Sequence, residues 1–481
     1  MAKRNIFLST TANVASLFTN NLLDRVSSFL LFLMAGRYLG TFVFGQVTLA
    51  LTLFNSFQIF AMMGARKMIV REVARDKTLT GQYLFNGSLV VITSSILTII
   101  VQWIFIQIMG YSKDTGIVII IFSLGLIPYS LTNVSEAIFQ AWERMHYIVY
   151  ASAPVTILKV VVAFILFSLN YGIDQVAVVW ALSEFVIVFI EWLLIFKNIG
   201  RPELKFSGSF SWEMVRSSRT FFGIDGLGAI QGSIDTLILS KLASETEVGL
   251  YNAALQFSVP LVLIITNVGL SIYPVLCSEI SAGFSEGKKI IEKSIEILLA
   301  IAFPASVGLF ILATPALNFL YGKKFEAATG VLQVIAWIFI LRAMTQVMGL
   351  TFLAYKKEQL SLKIGIITVL SQLIFGSLLV GQFGLIGIAW STLIMWTINF
   401  LFHYYQNARN FFLISIGKVI WKPMLASAIM AVFLIPIKDD EFLLVVGSAA
   451  LLYAFVLLVL SAWSAGGVNQ LKSKYLSLWA R

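Results

Sequence analysis

Gln82–Met109 reads QYLFNGSLVVITSSILTIIVQWIFIQIM, 28 residues without an Asp, Glu, Lys or Arg. A helix rises about 1.5 Å per residue, so about 20 mostly apolar residues cross a hydrocarbon core of about 30 Å. This stretch can cross by itself, and others like it follow one another along the chain. Candidate spans fall near 10–35, 42–63, 82–109, 116–141, 147–169, 174–196, 219–241, 249–277, 294–320, 328–353, 361–381, 384–405, 417–437 and 441–463. The pattern predicts an all-α polytopic membrane protein with about 14 transmembrane helices. Spans 10–35 and 219–241 are the least apolar, because each contains charges.

Composition agrees. The 481 residues are 59% hydrophobic and 12% charged. A soluble chain carries about 25% charge, since its core must be wrapped in polar surface, and lipid removes that need. The net charge of +10 would suggest nucleic acid in a soluble protein. Here it reports orientation, because lysine and arginine accumulate in cytoplasmic loops during insertion. With the N-terminus inside, 25 of the 34 basic residues fall in cytoplasmic segments and three within spans. Only Arg37, Lys113, Lys241, Lys323, Lys324 and Lys438 fall outside. Both termini are expected in the cytoplasm, and no nucleic-acid partner is expected. The basic Met1–Arg4 precedes an apolar stretch interrupted by Asn20, Asn21, Asp24 and Arg25. No small-x-small cleavage site follows, so the stretch reads as a retained first helix.

Catalysis finds no foothold. Cys277 is the single cysteine, and His146 and His403 lie far apart, so no internal disulfide, zinc or haem site is readable. No G-x-x-x-x-G-K-[ST] loop occurs, and no nucleophile or paired-carboxylate site stands out. The chain reads as a non-enzyme without cofactor. Any transport is then facilitated, or driven by the membrane potential or by coupling to Na+ or H+.

The informative residues are charges where lipid should be. Arg25, Lys159 and Arg342 each lie near the middle of a span. A cation at that depth costs about 2.5–3.5 kcal/mol, so each is expected to face a water-filled lumen or find a partner. Three polar stripes favour a lumen. Asn13, Asn20, Asn21, Asp24 and Ser28 recur at helical spacing in span one; Thr48, Thr52, Asn55 and Gln58 do so in span two. Asp225, Gly228, Gln231, Gly232 and Asp235 form the third, in span seven. Arg25, Lys159 and Arg342 are therefore candidate substrate-binding cations. Asp24, Asn21, Asn55, Gln58, Asp225, Gln231 and Asp235 are candidate lumen or coupling residues, with Asp235 equally suited to an interhelical hydrogen bond. Glu184 and Glu191, two turns apart, read as ion-pair or packing partners, and Glu136 lies close to the cytoplasmic edge.

The longest internal connection, roughly Asn198 to Ser218, is polar and basic, and reads either as a short interfacial helix or as a linker. Arg37, Phe44, Gly45, Ala50 and Leu51 sit 204 residues before Lys241, Val248, Gly249, Ala254 and Leu255. Such an echo is what a duplicated transporter would leave. Prolines 128, 154, 260, 274, 304 and 315 fall inside or at the ends of spans, where they kink helices.

Several of these residues also carry a resemblance. Gly36-Arg37-Tyr38-Leu39-Gly40 with Phe44-Gly45, then Gly64-Ala65-Arg66 and Val70-Arg71-Glu72-Val73-Ala74-Arg75, are followed in the second half by Ile234-Asp235 and Leu239-Ser240-Lys241-Leu242. Glu247-Val248-Gly249-Leu250-Tyr251-Asn252-Ala253-Ala254 completes the set. Together they resemble the polysaccharide-export branch of the multidrug/oligosaccharidyl-lipid/polysaccharide superfamily, the Wzx-like flippases. The resemblance implies two six-helix lobes in a V around a central cavity, plus two C-terminal helices. That assigns 1–200 to an N-lobe of spans one to six and 201–410 to a C-lobe of spans seven to twelve. Residues 411–481 then hold spans 13 and 14 and a cytoplasmic tail.

The resemblance further implies an undecaprenyl-pyrophosphate-linked oligosaccharide as substrate, an O-antigen or other surface-polysaccharide repeat unit. It would move from the cytoplasmic to the outer leaflet of a prokaryotic cell (inner) membrane by alternating access. Arg25, Lys159 and Arg342 would line the cationic lumen, matched by depth rather than by motif. The partners implied are the lipid-linked glycan, membrane lipids, and a glycan polymerase or glycosyltransferases; a monomer is expected. The alternatives are a cation-coupled multidrug exporter of the same superfamily and a membrane scaffold for glycan-assembly enzymes.

Overall fold

The computed structural model describes residues 2–282 and 284–465, and the expected cytoplasmic tail lies almost wholly outside them. Among the described residues every regular element is a helix. The chain divides into two compact units after Gly249. The first holds α1 (Ala2–Met62), α2 (Ala65–Arg75), α3 (Thr80–Met109), α4 (Lys113–Leu124), α5 (Leu126–Ala141), α6 (His146–Ser168), α7 (Ile173–Asn198) and α8 (Gly208–Leu242). The division falls within α9 (Glu245–Gln256). The second holds α10 (Ser258–Ala282), α11 (Phe284–Ile311), α12 (Ala313–Tyr321), α13 (Thr329–Ala336), α14 (Ile338–Ala354), α15 (Glu358–Asn410), α16 (Ile416–Ile437) and α17 (Phe442–Ala465).

The decisive stretch forms α3, and its surface is inside out. Asn86, Ser94, Ser95, Thr98 and Gln102 are buried, while Ile96, Leu97, Ile100, Val101, Trp103 and Ile104 are exposed. Water would penalise that arrangement; lipid requires it, because a polar group there must find its partner inside the protein. Ser95 donates to the Ser130 hydroxyl at 3.0 Å, and Ser94 to the Ala61 carbonyl. The protein is a multi-pass membrane protein.

Eleven helical stretches among the described residues are long and apolar enough to cross a membrane. Two of them, Ala15–Met62 and Glu358–Asn410, have 48 and 53 residues and bend at Gly40 (φ 81°) and Gly384 (φ 55°). At about 1.5 Å per residue each is twice the length that one crossing needs. Gln372 donates to Ser391 at 3.1 Å and Asn399 to Thr368 at 3.0 Å, so the two arms of α15 fold back on one another. α8 is absent from the eleven, its apolar character diluted by Asp225, Gln231, Asp235 and three intervening glycines. The expected number of fourteen requires each bent helix to count twice and α8 once.

Four other expected spans are broken rather than bent, span 328–353 at Trp337 between α13 and α14 and the other three ahead of a proline. α4 gives way to α5 at Gly125, α9 to α10 at Phe257 and α11 to α12 at Leu312, each three residues before a proline, Pro128, Pro260 or Pro315. A proline ring collides with the carbonyl four residues back, so the helix restarts with proline in its first turn. Pro154, Pro274 and Pro304 instead sit inside α6, α10 and α11.

In the first unit, α2 is an amphipathic helix that the span pattern does not contain. Ala65, Met68, Ile69 and Val73 are buried at helical spacing, leaving Lys67, Arg71 and Arg75 exposed. They join Leu84, Val134, Ile138 and Met214 in one core. Gly64, at φ 72°, lets the chain turn out of α1 into α2, a backbone region in which a side chain is strained.

The long connection is shorter than expected. α7 ends at Asn198 and α8 begins at Gly208, so Trp212, Met214 and Val215 lie in the first turns of α8 itself. Residues 200–207 form an irregular strap clipped to α3. Glu203 N–H donates to the Gly81 carbonyl at 3.1 Å, Asn86 donates to the Lys205 carbonyl at 3.2 Å, and Ser207 N–H donates to Asn86 at 3.0 Å. The Ser207 hydroxyl then accepts from Phe210 N–H at 3.3 Å and caps α8.

At the repeated Gly45 and Gly249, α1 and α9 touch backbone to backbone. A Cβ on Gly45 would lie 1.8 Å from the Glu245 carbonyl oxygen, and one on Gly249 would lie 2.1 Å from that of Thr41. Each glycine faces the carbonyl four residues before the other, so the contact is reciprocal.

The second unit packs α16 on α17 through Ala426, Met430 and Leu434 against Val445, Ala449 and Tyr453. The Tyr453 hydroxyl donates to the Ala300 carbonyl at 2.8 Å. Glu296 on α11 accepts from Lys293 and from Lys422 of α16, both at 3.0 Å.

Candidate functional site

The first unit gathers its charges on α1, α2, α5, α6, α7 and α8. Asp24 and Arg25 are both exposed on α1. One turn before them Asn20 accepts from the Ser152 hydroxyl, fixing α1 on α6. Two turns of α6 beyond Ser152 comes Lys159, whose Nζ lies 3.8 Å from Glu184 Oε1 of α7, with side chains only 10% and 11% exposed. Pairing removes the cost of an isolated cation at that depth. Asp24 lies within electrostatic reach of Lys159, Glu136 and Arg25.

A second pair continues the network. Arg66 Nη2 lies 2.7 Å from Glu136 Oε2, and Arg66 Nη1 donates to Asn133 Oδ1 at 2.8 Å. Glu191 of α7 is fully buried near this pair, and neither of its oxygens accepts a hydrogen bond. Its polar neighbour Ser135 donates to the Leu131 carbonyl at 3.1 Å.

Beside Arg66 opens a cavity of about 380 Å³, lined by Gln58, Lys67, Tyr129, Asn133, Asp225 and Gly228 among others. Lys67 Nζ lies 2.7 Å from Asp225 Oδ1, so α2 and α8 are bridged at its wall. Gln58 Oε1 is buried without a hydrogen-bond partner. The arrangement brings together two cations, each paired with a carboxylate, with amide groups and a tyrosine, inside a unit whose outer surface is apolar.

Of the residues singled out in the sequence, Gln58 and Asp225 meet in this cavity. Asn55 lies one turn before Gln58 and is exposed, as is Asn21. Gln231 and Asp235 are half-buried further along α8. Arg342 belongs to the second unit, half-buried with its guanidinium 4.5 Å from the centre of the Trp396 ring, a cation–π arrangement. Arg66 and Lys67 are additions, counted in the sequence only as loop cations. The signal that exposes them is the apolar spacing of Ala65, Met68, Ile69 and Val73, which makes this loop a helix.

The all-helical membrane fold is shared with solved structures. A lipid II flippase MurJ structure in an inward closed conformation superposes with a TM-score of 0.76 at 17% identity, over 94% of this chain and 98% of that one. An inward-facing multidrug resistance MATE family transporter of the MOP superfamily gives 0.66 at 16% identity, over 80% and 94%. The family model described as polysaccharide biosynthesis protein matches residues 10–279, and the chain belongs to that family. The model for lipid II flippase MurJ matches residues 218–455. The capsular polysaccharide biosynthesis protein CapF of Staphylococcus aureus is 22% identical over 410 residues, 83% of this chain and 99% of CapF. The probable low-salt glycan biosynthesis flippase Agl15 of Haloferax volcanii is 23% identical over 235 residues, 48% of this chain and 49% of Agl15. The two sequence relatives are named for polysaccharide biosynthesis or for flipping.

Proposed function

We propose that the chain flips a polyprenyl-pyrophosphate-linked oligosaccharide from the cytoplasmic to the outer leaflet by alternating access. The observation that carries the reading is the cavity beside Arg66 and Lys67, where charged, amide and phenol side chains meet within a membrane unit of a family named for polysaccharide biosynthesis. A glycan and a pyrophosphate cannot cross hydrocarbon unaided, since each unmet polar group costs several kcal/mol. Cations inside the protein lower that barrier while the polyprenyl tail stays in lipid. Arginine suits the pyrophosphate because its fork can bind two oxygens at once. Arg25 and Arg342 are assigned to the anion, with Lys159 acting through its pair with Glu184. The remaining polar residues Asn21, Asp24, Asn55, Gln58, Asp225, Gln231 and Asp235 serve the sugars or coupling.

Export of an anion from a negative interior gains about 2.3 kcal/mol per charge per 100 mV. The membrane potential therefore supplies the outward bias, and collapsing the potential, the Na+ gradient and the H+ gradient separately distinguishes it from ion coupling. In cells lacking the chain, lipid-linked oligosaccharide is expected to accumulate on the cytoplasmic leaflet. Arg25→Gln/Arg342→Gln is expected to leave protein level normal and abolish surface glycan. Unchanged lipid pools together with drug sensitivity would favour the exporter reading.

A further inference from the structure

A second polar pocket lies apart from the cavity just described. It has a volume of about 610 Å³ and is lined by Arg71, Trp212, Glu213, Arg216, Ser217 and Arg219. Arg71 comes from α2, and the other five residues come from the opening turns of α8. Trp212, Arg216 and Arg219 follow at i, i+4 and i+7, so they share one face of that helix. Three guanidinium groups oppose a single carboxylate in the wall. Glu72 accepts from Arg71 Nε at 2.7 Å, which fixes the direction of that side chain.

Loop cations spread for orientation during insertion have no reason to converge on a shared pocket from two helices. These do, and the wall is built before any ligand arrives. Gly81 and Asn86 hold the strap that delivers the chain to α8, at Glu203 and at Lys205 and Ser207, and Met214, between the pocket residues, is buried in the core with Met68 and Ile69. The same segment is apolar outward: Trp212 is 70% exposed, Leu204 79% and Phe206 71%. Exposed tryptophan beside clustered arginine belongs to the headgroup layer, where a ring rests in the interface and cations meet phosphate.

We propose that this pocket binds the phosphate group of a lipid headgroup, its apolar rim lying against the chains. Its occupant is the diphosphate of the polyprenyl carrier, docked on the loading leaflet before the glycan is moved; this assignment rests on the flippase reading. The volume admits a diphosphate with its first sugar. Arg216 and Arg219 grip the anion, Arg71 closes the opposite side, and Trp212 marks the depth at which the prenyl chain leaves the pocket.

The test is equilibrium binding of radiolabelled farnesyl diphosphate to the full chain in phosphatidylcholine nanodiscs, with farnesol as the tail-only control. Arg216→Gln/Arg219→Gln is expected to weaken diphosphate binding about tenfold or more, the loss of at least one charge-assisted grip. Farnesol binding should not change. Arg216→Lys/Arg219→Lys, which keeps the charge, should recover part of the affinity and guards against misfolding. Unchanged affinity in the glutamine variant, or farnesol binding as tightly as the diphosphate, overturns the pocket. Nanodiscs containing phosphatidylglycerol separate the two phosphate sources. If that lipid displaces the diphosphate, the headgroup site stands and the carrier assignment falls. The deletion experiment above tests the flippase reading without involving this pocket.

Discussion

Arg66 and Glu136 hold a charge pair that neither can leave without stranding the other. Glu136 is 12% exposed, and Arg66 meets it at 2.7 Å while its second nitrogen is taken by Asn133. Breaking a fully buried pair by removing one partner costs about 3–5 kcal/mol, and this one costs less because Arg66 is 35% exposed, whereas replacing both with apolar residues is often neutral. Arg66→Gln is therefore expected to lower the melting temperature, and Arg66→Met/Glu136→Met to restore most of it. Thermal unfolding in detergent measures both, and equal values for the single and double variants would refute the pairing. The same logic applies to Lys159 and Glu184. The sequence marks Lys159 as a misplaced cation and Glu184 as a candidate ion-pair member. It cannot join them, because they sit on different helices and only packing decides which faces meet.

At the scale of elements, the crossings were legible where apolar runs were long, since length and composition alone decide solubility in lipid. α3 is the clearest case and α8 the least clear, because its aspartates and glycines are the features that bring it to the charged cavity. The breaks before Pro128, Pro260 and Pro315 were legible as kinks, for proline acts locally. α2 was not legible as a span, being too short and too basic, though its apolar spacing was present. The 3-10 turn that follows it, Lys77–Leu79, carries a pH-sensitive N-terminal cap. Asp76 accepts from Thr78 N–H at 2.9 Å and from the Thr78 hydroxyl at 2.6 Å, and these bonds hold its carboxyl below the usual carboxylate range. A depressed folded-state value means the bonds contribute above the unfolded value of about 4 and are lost as pH falls through the folded one. Amide exchange at Thr78, corrected for its intrinsic pH dependence, is expected to accelerate on acidification. Asp76→Asn should abolish that acceleration, and its persistence would refute the cap.

For the whole molecule, the internal echo places its two glycines at one of the most closely defined contacts. Gly45 and Gly249 meet so closely that a methyl group on either enters the other helix's backbone. Overpacking of this kind costs about 1–3 kcal/mol even where side chains can yield, and here only backbone is available to move. Gly45→Ala is expected to lower thermal stability and surface glycan together. Gly308→Ala, whose Cβ would meet nothing within 4 Å, should do neither. Comparable melting temperatures for the two variants would refute the crossing. Reciprocity also bears on inheritance. A lineage that acquires a side chain at residue 45 cannot be rescued by a smaller residue at 249, because glycine is already the smallest. Suppressors of Gly45→Ala should therefore map elsewhere, and the two positions should tolerate change independently or not at all.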